Sequence, residues 1–410
     1  MWRGDRFNRA RQVQYHIRVL AGRVDRGAGS HVYHQELVQR LAARGHRVSL
    51  VSFDPNPAVG TNVEIHAVPL PAPTSFPFLW RFTAVRNYRH CHRGLLQLDL
   101  PPADVVIAGE HLFMKAHARR FPQTPWVYLP HSLLVDQEIA SYNLPKFLEV
   151  VTHRLYVRLQ EWALRHATRT MRFTRLACDA LTKRYPSIQP RYFINPMATE
   201  MPPWAPRPPA AQPVRLLWVG QLIPRKRIEL ALEALAKTDS PNWIFNVVGD
   251  GSARSDLEEQ ARRLGLADRV SFHGFQSDPS DWYRQADLLV FPSWLENFPV
   301  TMVEAMSHGV ACLAMRGDGV RYHTANAEIV EHGRDGFLAD SDEHFCRLLA
   351  ELIQRPEQLR AAGEAARDTV KRNYTWDHHL HRFEQLFEQL VAPALARTPA
   401  DGDLVSIAAR

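Results

Sequence analysis

Between residues 214 and 315, five short apolar runs alternate with stretches whose apolar residues recur at intervals of three and four. The runs are VRLLWVG (214–220), WIFNVVG (243–249), VSFHG (270–274), ADLLVFPS (286–293) and VACLAM (310–315), and RIELALEALAK and SARSDLEEQARRLGL are two of the intervening stretches. Runs this apolar need cover on both faces, and strand, helix, strand with short connections means a parallel sheet flanked by helices. The fold class that follows is α/β, with a Rossmann-like sheet in the second half.

The first half follows the same grammar less cleanly: QYHIRVLAG, then a helix SHVYHQELVQRLAARG, then HRVSLVSF, DVVIAGE and WVYLPHS. Seven prolines fall within the 20 residues 195–214, a density that rules out helix and central strand. At 410 residues the chain is long for one core and suits two domains. The expected division is residues 1–195 as a first Rossmann-like domain, 196–213 as a proline-rich linker and 214–370 as a second Rossmann-like domain. Residues 371–395 are expected as a C-terminal helix packing back toward the first domain, and 396–410 as a weakly ordered tail. The stretch RDTVKRNYTWDHHLHRFEQLFEQLV reads as one amphipathic helix.

A composition of 45% hydrophobic and 23% charged residues is that of an ordinary globular protein. No run approaches the roughly 20 apolar residues of a membrane-spanning helix, and the basic N-terminus lacks a secretory signal, so the chain is expected in the cytoplasm. Cys91, Cys178, Cys312 and Cys346 have no paired spacing and read as reduced thiols. Residues 1–200 carry 27 Lys and Arg against 14 Asp and Glu, a net +13, whereas residues 201–410 carry 23 against 29, a net −6. The first half therefore suits an anionic partner: a membrane surface, a phosphorylated acceptor or nucleic acid. Charge alone leaves these open.

The stretch ENFPVTMVEAMSHG (296–309) places two glutamates in an apolar setting, Glu296 on a loop after ADLLVFPS and Glu304 inside a helix that Pro299 is suited to begin. A carboxylate in a buried helix loses hydration, at a cost of several kcal/mol, unless donors replace the water. A sugar diol supplies two such donors, while a neighbouring arginine or backbone amides are the plainer alternative. Ligands of open parallel sheets sit beyond the carboxyl ends of the strands. At the first such end, WVGQLIPRKR places Lys226 between Arg225 and Arg227 after Gly220, in a form suited to diphosphate. At the second, VVGDGS supplies Gly249 and Gly251 for close backbone approach.

The run from LLWVGQLIPRKRIELALEAL through FNVVGDGS, VSFHGF and ADLLVFPSWLENFPVTMVEAMSHG to EIVEHGRDGF resembles the nucleotide-binding half of the retaining glycosyltransferases of family 4, which have the GT-B fold. The opening GRVDRGAGSHVYHQELVQRLAARGHRVSLVSF and the later WVYLPHS resemble the first half of such enzymes more loosely. The resemblance implies two Rossmann-like domains facing each other across a cleft. It implies that Glu304 binds the donor ribose, that Glu296 binds the hydroxyls of the transferred sugar and that Lys226 neutralises the diphosphate. Backbone at Asn297, Phe298 and Val300 would face the sugar or phosphates, with Gly27, Gly29 and Ser30 bordering the diphosphate from the other domain and His131 near the reactive face of the sugar. The chain departs from the family pattern at Gln221, where a phosphate-binding arginine is usual, and at ENFP, where EGFG is usual.

The same resemblance implies transfer with retention from a nucleotide-diphosphate sugar, with a UDP- or GDP-sugar foremost, and no cofactor or metal. The Asp340 and Asp342 pair and the Asp401 and Asp403 pair look like metal motifs superficially and read as surface loops. The segment 75–98 interleaves Phe76, Phe78, Trp80 and Phe82 with Arg81, Arg86, Arg89 and Arg93, which suits either an anionic bilayer or a core stripe with a wet arginine face. A glycan or lipid-linked acceptor of cell-surface polysaccharide or lipopolysaccharide synthesis is expected, with contact at the inner face of the membrane and no nucleic acid. A catalytically silent nucleotide-binding relative and a sugar-nucleotide epimerase of the same shape remain as alternatives.

Overall fold

The alternation is realised in two parallel sheets. The structure, a computed structural model, describes residues 13–22, 29–55, 57–71, 83–131, 146–204 and 213–395. The first sheet comprises β1 (His16–Leu20), β2 (Arg47–Ser52), β3 (Val63–Ala67), β4 (Val105–Ala108), β5 (Trp126–Tyr128), β6 (Arg169–Arg172) and β7 (Tyr192–Ile194). Its order is β3-β2-β1-β4-β5-β6-β7, with Ile17 opposite Val48 on one side and Val105 on the other. Parallel neighbours need crossover connections, supplied here by helices including Gly29–Ala43, Thr83–Gln97 and His111–Arg120. Ile17, Val19, Val105 and Ile107 are fully enclosed, which is why these strands read as apolar runs.

The later strands are β8 (Val214–Val219), β9 (Trp243–Val248), β10 (Val270–Phe272), β11 (Leu288–Phe291), β12 (Leu295–Glu296), β13 (Ala311–Met315), β14 (His323–Thr324) and β15 (Phe337–Ala339). Six of them form the second sheet in the order β10-β9-β8-β11-β13-β15, while β12 pairs with β14 apart from it. Both sheets start centrally, build outward in one direction and then reverse, the order that defines a Rossmann-type sheet.

The chain divides into two units, residues 1–171, 184–193 and 382–410 forming one and 172–183 and 194–381 the other. The described part of the proline-rich segment belongs to the second unit and is fastened there. The Thr199 amide donates to the Tyr374 carbonyl at 2.9 Å, and Arg367 donates to the Pro202 carbonyl at 2.7 Å with its guanidinium over Trp204. In the first unit, Phe387 and Phe383 stack at 5.6 Å beside Tyr15 and Phe193, and Glu384 pairs with Arg44 at 3.0 Å.

Two sequence readings change. The stretch expected as one C-terminal helix is two, Pro356–Asn373 and Trp376–Leu395. The break comes at Tyr374 and Thr375: Thr375 forms a bridge with Thr199, and its hydroxyl accepts from the His378 amide at 3.4 Å. Pro299 precedes the helix Val300–Ser307 instead of opening it. The helix expected in 75–98 is described from Thr83, and Phe76, Phe78, Trp80, Arg81 and Phe82 lie outside the described residues, as does the 396–410 tail. All four cysteines are free thiols.

Within the first unit, Arg18 of β1 is wholly buried, and no carboxylate among the described residues forms an ion pair with it. It donates to Ser49 at 3.3 Å and to the Pro101 carbonyl, lies 5.0 Å over the Phe121 ring and stands 3.2 Å from His117 Nε2. Burial, reinforced by Arg18 and Arg120, pushes the His117 imidazole down to about 3. An unfolded histidine takes up its proton near pH 6.5, so between that pH and about 3 the unfolded chain binds a proton that the folded chain refuses. Stability is therefore lost as pH falls through this window, by about 2 kcal/mol at pH 5. Urea unfolding at pH 7 and pH 5 tests this: His117→Asn is expected to lose about 2 kcal/mol less than wild type on acidification, and equal losses in the two proteins would refute the assignment.

Candidate functional site

The strand order of the second unit reverses between β8 and β11, which are hydrogen-bonded neighbours with Leu216 opposite Leu288. Loops leaving the carboxyl ends of such strands diverge and leave a crevice. The loop after β8 closes in a short turn, Pro224–Lys226, and the loop after β11 carries Glu296, pinned by β12 opposite Thr324 of β14. Lys226 Nζ donates to Glu296 Oε1 at 2.5 Å. The ammonium also lies 5.4 Å from the Phe291 ring and 6.0 Å from the Trp218 ring, and these two rings stack on each other. With side chains only 13% and 8% exposed, Lys226 and Glu296 form a nearly dry ion pair.

The two arginines beside Lys226 have different employment. Arg225 donates to the Leu295 carbonyl at 3.1 Å and keeps a nitrogen 3.9 Å from Glu296 Oε1, so it belongs to the same cluster. Arg227 grips Asp342 with both terminal nitrogens, at 2.8 and 2.6 Å. Asp342 departs from its reading as a surface-loop residue: its side chain is 19% exposed and also accepts from Tyr322 at 2.8 Å and Arg321 at 2.7 Å. Asp340 is 61% exposed and pairs with Arg316, while Asp401 and Asp403 lie outside the described residues.

Glu304 sits in the Val300–Ser307 helix, whose other side chains Met302, Val303, Ala305 and Met306 are buried. It is half-buried, and no guanidinium or ammonium among the described residues pairs with it. The buried Tyr283 hydroxyl donates to Oε2 at 3.0 Å, and His308 lies beside that ring with Nδ1 2.9 Å from the Glu304 carbonyl. Burial raises the Glu304 carboxyl above the ordinary range and the Tyr283 hydrogen bond works against it. Sequence reasoning missed Tyr283, which carries no local signal because its partner lies 21 residues away in another helix.

The glycines at the strand ends meet the chain's own backbone. A Cβ on Gly249 would fall 1.8 Å from the Gly220 carbonyl oxygen, and one on Gly251 2.4 Å from that of Leu222. Gly220 donates to the Val248 carbonyl and Leu222 to that of Asp250, so the loops after β8 and β9 interlock. Asn297 is held through its carbonyl by Thr174 at 3.2 Å and through Oδ1 by Arg172 at 3.5 Å, two contacts that sequence reasoning did not foresee. Phe298 packs edge-on to Phe173 and Tyr374, and the Val300 amide is bonded to the Phe298 carbonyl at 3.0 Å.

In the first unit, Gly29 and Ser30 open the helix Gly29–Ala43 after β1, and Gly27 lies outside the described residues. His131, just past β5, has Nε2 3.3 Å from that of the buried His34 and lies edge-on to Tyr33. A Cβ on Gly109 would fall 2.5 Å from the His34 ring, so the end of β4 is shaped around this histidine pair. Glu110, the next residue, accepts from the Leu112 amide at 3.0 Å and caps the following helix.

A buried charge that loses its partner costs more than a pair removed together, commonly about 3–5 kcal/mol. Lys226→Met is therefore expected to lower the unfolding free energy by about 3 kcal/mol, and Lys226→Met with Glu296→Gln by clearly less. Denaturant titration of the three proteins checks this, and a double variant as unstable as the single would count against a dry pair.

Two family models match, "Glycosyl transferases group 1" over residues 206–369 and "Glycosyl transferase 4-like domain" over residues 28–196. The chain is 33% identical over 177 residues to an exopolysaccharide phosphotransferase of Streptomyces coelicolor, covering 42% of this chain and 18% of that protein. It is 34% identical over 115 residues to a lipopolysaccharide 1,6-galactosyltransferase of Salmonella typhimurium, covering 27% of this chain and 32% of that one. The chain thus spans less than half the length of these relatives. The solved structure of HepE from Anabaena in complex with UDP-glucose superposes with a TM-score of 0.63 at 18% identity, over 93% of this chain and all of that one. Two Rossmann-type sheets and family models matching both halves together establish that the chain belongs to the family 4 glycosyltransferases of GT-B fold.

Proposed function

We propose that the protein is a retaining glycosyltransferase that moves a sugar from a nucleotide-diphosphate donor, a UDP- or GDP-sugar, to a hydroxyl of a glycan or lipid-linked acceptor. The observation that carries this reading is the meeting of Lys226 and Glu296 at the strand-order reversal, with the half-buried Glu304 on the helix that follows. Glu304 suits a ribose diol: Tyr283 satisfies one of its oxygens, and a pair of hydroxyls supplies donors for the rest. In this reading the Lys226 ammonium, held by Glu296 in the structure, turns to the donor diphosphate, and that exchange frees Glu296 to accept from hydroxyls of the donor sugar. Charge that builds on the leaving diphosphate is then met by a fixed cation in a dry site, where it counts most. The reading of the reaction as retaining, by attack on the face that the diphosphate leaves, needs no carboxylate nucleophile and no metal.

The printed names of the relatives favour a surface polysaccharide or lipopolysaccharide product, and a UDP-sugar is the donor bound by the Anabaena neighbour. The phosphotransferase shares less than a fifth of its own length with this chain, so its activity does not carry over. A lipid-linked acceptor places the enzyme at the inner membrane face. No helix among the described residues is long and apolar enough to cross a membrane, and the basic Thr83–Gln97 helix, with Arg86, Arg89 and Arg93, is the surface proposed to touch one.

Donor hydrolysis and transfer assays with UDP-, GDP- and ADP-sugars test the activity. One class is expected to turn over, with Glu304→Ala losing nucleotide binding and Glu296→Ala losing turnover while UDP or GDP still binds. Tight nucleotide binding with no turnover on any donor would favour a silent relative, and full activity in both variants would refute the site. Co-sedimentation with anionic liposomes is expected to fall when Arg86, Arg89 and Arg93 are changed to glutamine, and indifference to lipid charge would remove the membrane contact.

A further inference from the structure

We propose that Asp342 is a positioning residue for the diphosphate site, acting by holding Arg227 in a left-handed backbone conformation and so fixing where the adjacent Lys226 projects. The inference rests on the proposed role of Lys226 in donor binding, but its geometric part stands apart from that role.

Arg227 is the one non-glycine with positive φ among the described residues, at φ 56° and ψ 40°. An L side chain resists this conformation and keeps it only where the surroundings impose it. Here the constraint is the two-pronged grip of the guanidinium on both Asp342 oxygens. A planar fork matched to a carboxylate fixes direction as well as distance. Asp342 is itself immobilised by the Tyr322 hydroxyl and by Arg321. It is also the first residue of the helix Asp342–Ile353, where the positive end of the helix dipole favours a carboxylate.

Arg227 is the joint between two elements. Its amide closes the Pro224–Lys226 turn by donating to the Pro224 carbonyl at 3.1 Å, and its carbonyl accepts from Leu230 at 3.0 Å to start the helix Ile228–Ala236. The φ at this joint sets the direction of the turn relative to the helix. Lys226 is one residue away, and its ammonium must land within hydrogen-bonding reach of Glu296, and of phosphate in the proposed reaction. Asp342 has no hydrogen bond to Lys226 or Glu296 among the described residues, so its influence passes through Arg227.

Two readouts on the full chain test this. The first is competitive acetylation followed by peptide mass spectrometry. Asp342→Asn is expected to raise the reactivity of Lys226 several-fold relative to Lys371, an exposed lysine on another helix. Unfolding would raise both together; in that event Tyr322→Phe, which removes one of the bonds to Asp342, is expected to give a smaller but selective rise. Lys226 reactivity unchanged in Asp342→Asn, or unchanged in Tyr322→Phe where Asp342→Asn unfolds, overturns the proposal. The second readout is the donor KM, expected to rise about tenfold in Asp342→Asn with kcat changing less. Adding Arg227→Gly, which adopts the left-handed turn without help, is expected to restore most of that loss. A loss that Arg227→Gly leaves untouched means that Asp342 acts by its charge and overturns the backbone route. If wild type binds none of UDP, GDP and ADP, the donor reading falls, while the acetylation result still decides whether Asp342 positions Lys226.

Discussion

The order in which strands are laid into the second sheet is the constraint from which its chemistry descends. Because β8 lies centrally, with β9 and β10 added on one side and β11 and β13 on the other, the connections from β8 and β11 leave in opposite senses from adjacent strands. Side chains 70 residues apart, Lys226 and Glu296, are thereby brought to hydrogen-bonding distance. A pair this dry bears a desolvation cost that hydrophobic residues of the same size avoid, so such pairs are weak evidence for stability alone. Its surroundings lower the cost: two aromatic faces under the ammonium and an arginine near the carboxylate. The arrangement is more readily understood as a device for handling charge and hydroxyl groups than as a structural staple.

Glu304 shows the opposite solution. Among the described residues no cation pairs with it and the Tyr283 hydroxyl donates to it, so burial prevails and its carboxyl is raised. The two glutamates of one loop and helix thus differ in electrostatic character: Glu296 is compensated by an ammonium and Glu304 is left with spare acceptor capacity. That difference is what the proposed division of labour between a sugar-facing and a ribose-facing carboxylate requires.

Much of the second unit was legible because buried parallel strands are written as unbroken apolar runs; β8, β9, β11 and β13 lie within the runs that marked them. The glutamates stood out for the complementary reason, as charges where the neighbours are core. The strand β15, Phe337–Ala339, was not among the runs read as strands, and the break at Tyr374 escaped notice because the helices on both sides of it are amphipathic. Asp342 was hidden more deeply. Its neighbours Asp340, Ser341 and Glu343 are those of a solvated loop, and its partner Arg227 is 115 residues away. Local sequence reports what a residue sits beside, whereas the role of Asp342 depends on what the fold brings to it.

The interlocked glycine turns have a consequence for how such a site changes over time. With Gly249 and Gly251 pressed against the carbonyls of Gly220 and Leu222, the segments that follow β8 and β9 behave as one block of peptide planes. A methyl group at 249 would displace the stretch that leads into Lys226, and so alter ligand handling from a position that need never touch a ligand. Under the proposed function, new donor preferences are therefore more accessible through the side chains rimming the crevice than through these glycines, which are committed to holding two loops together.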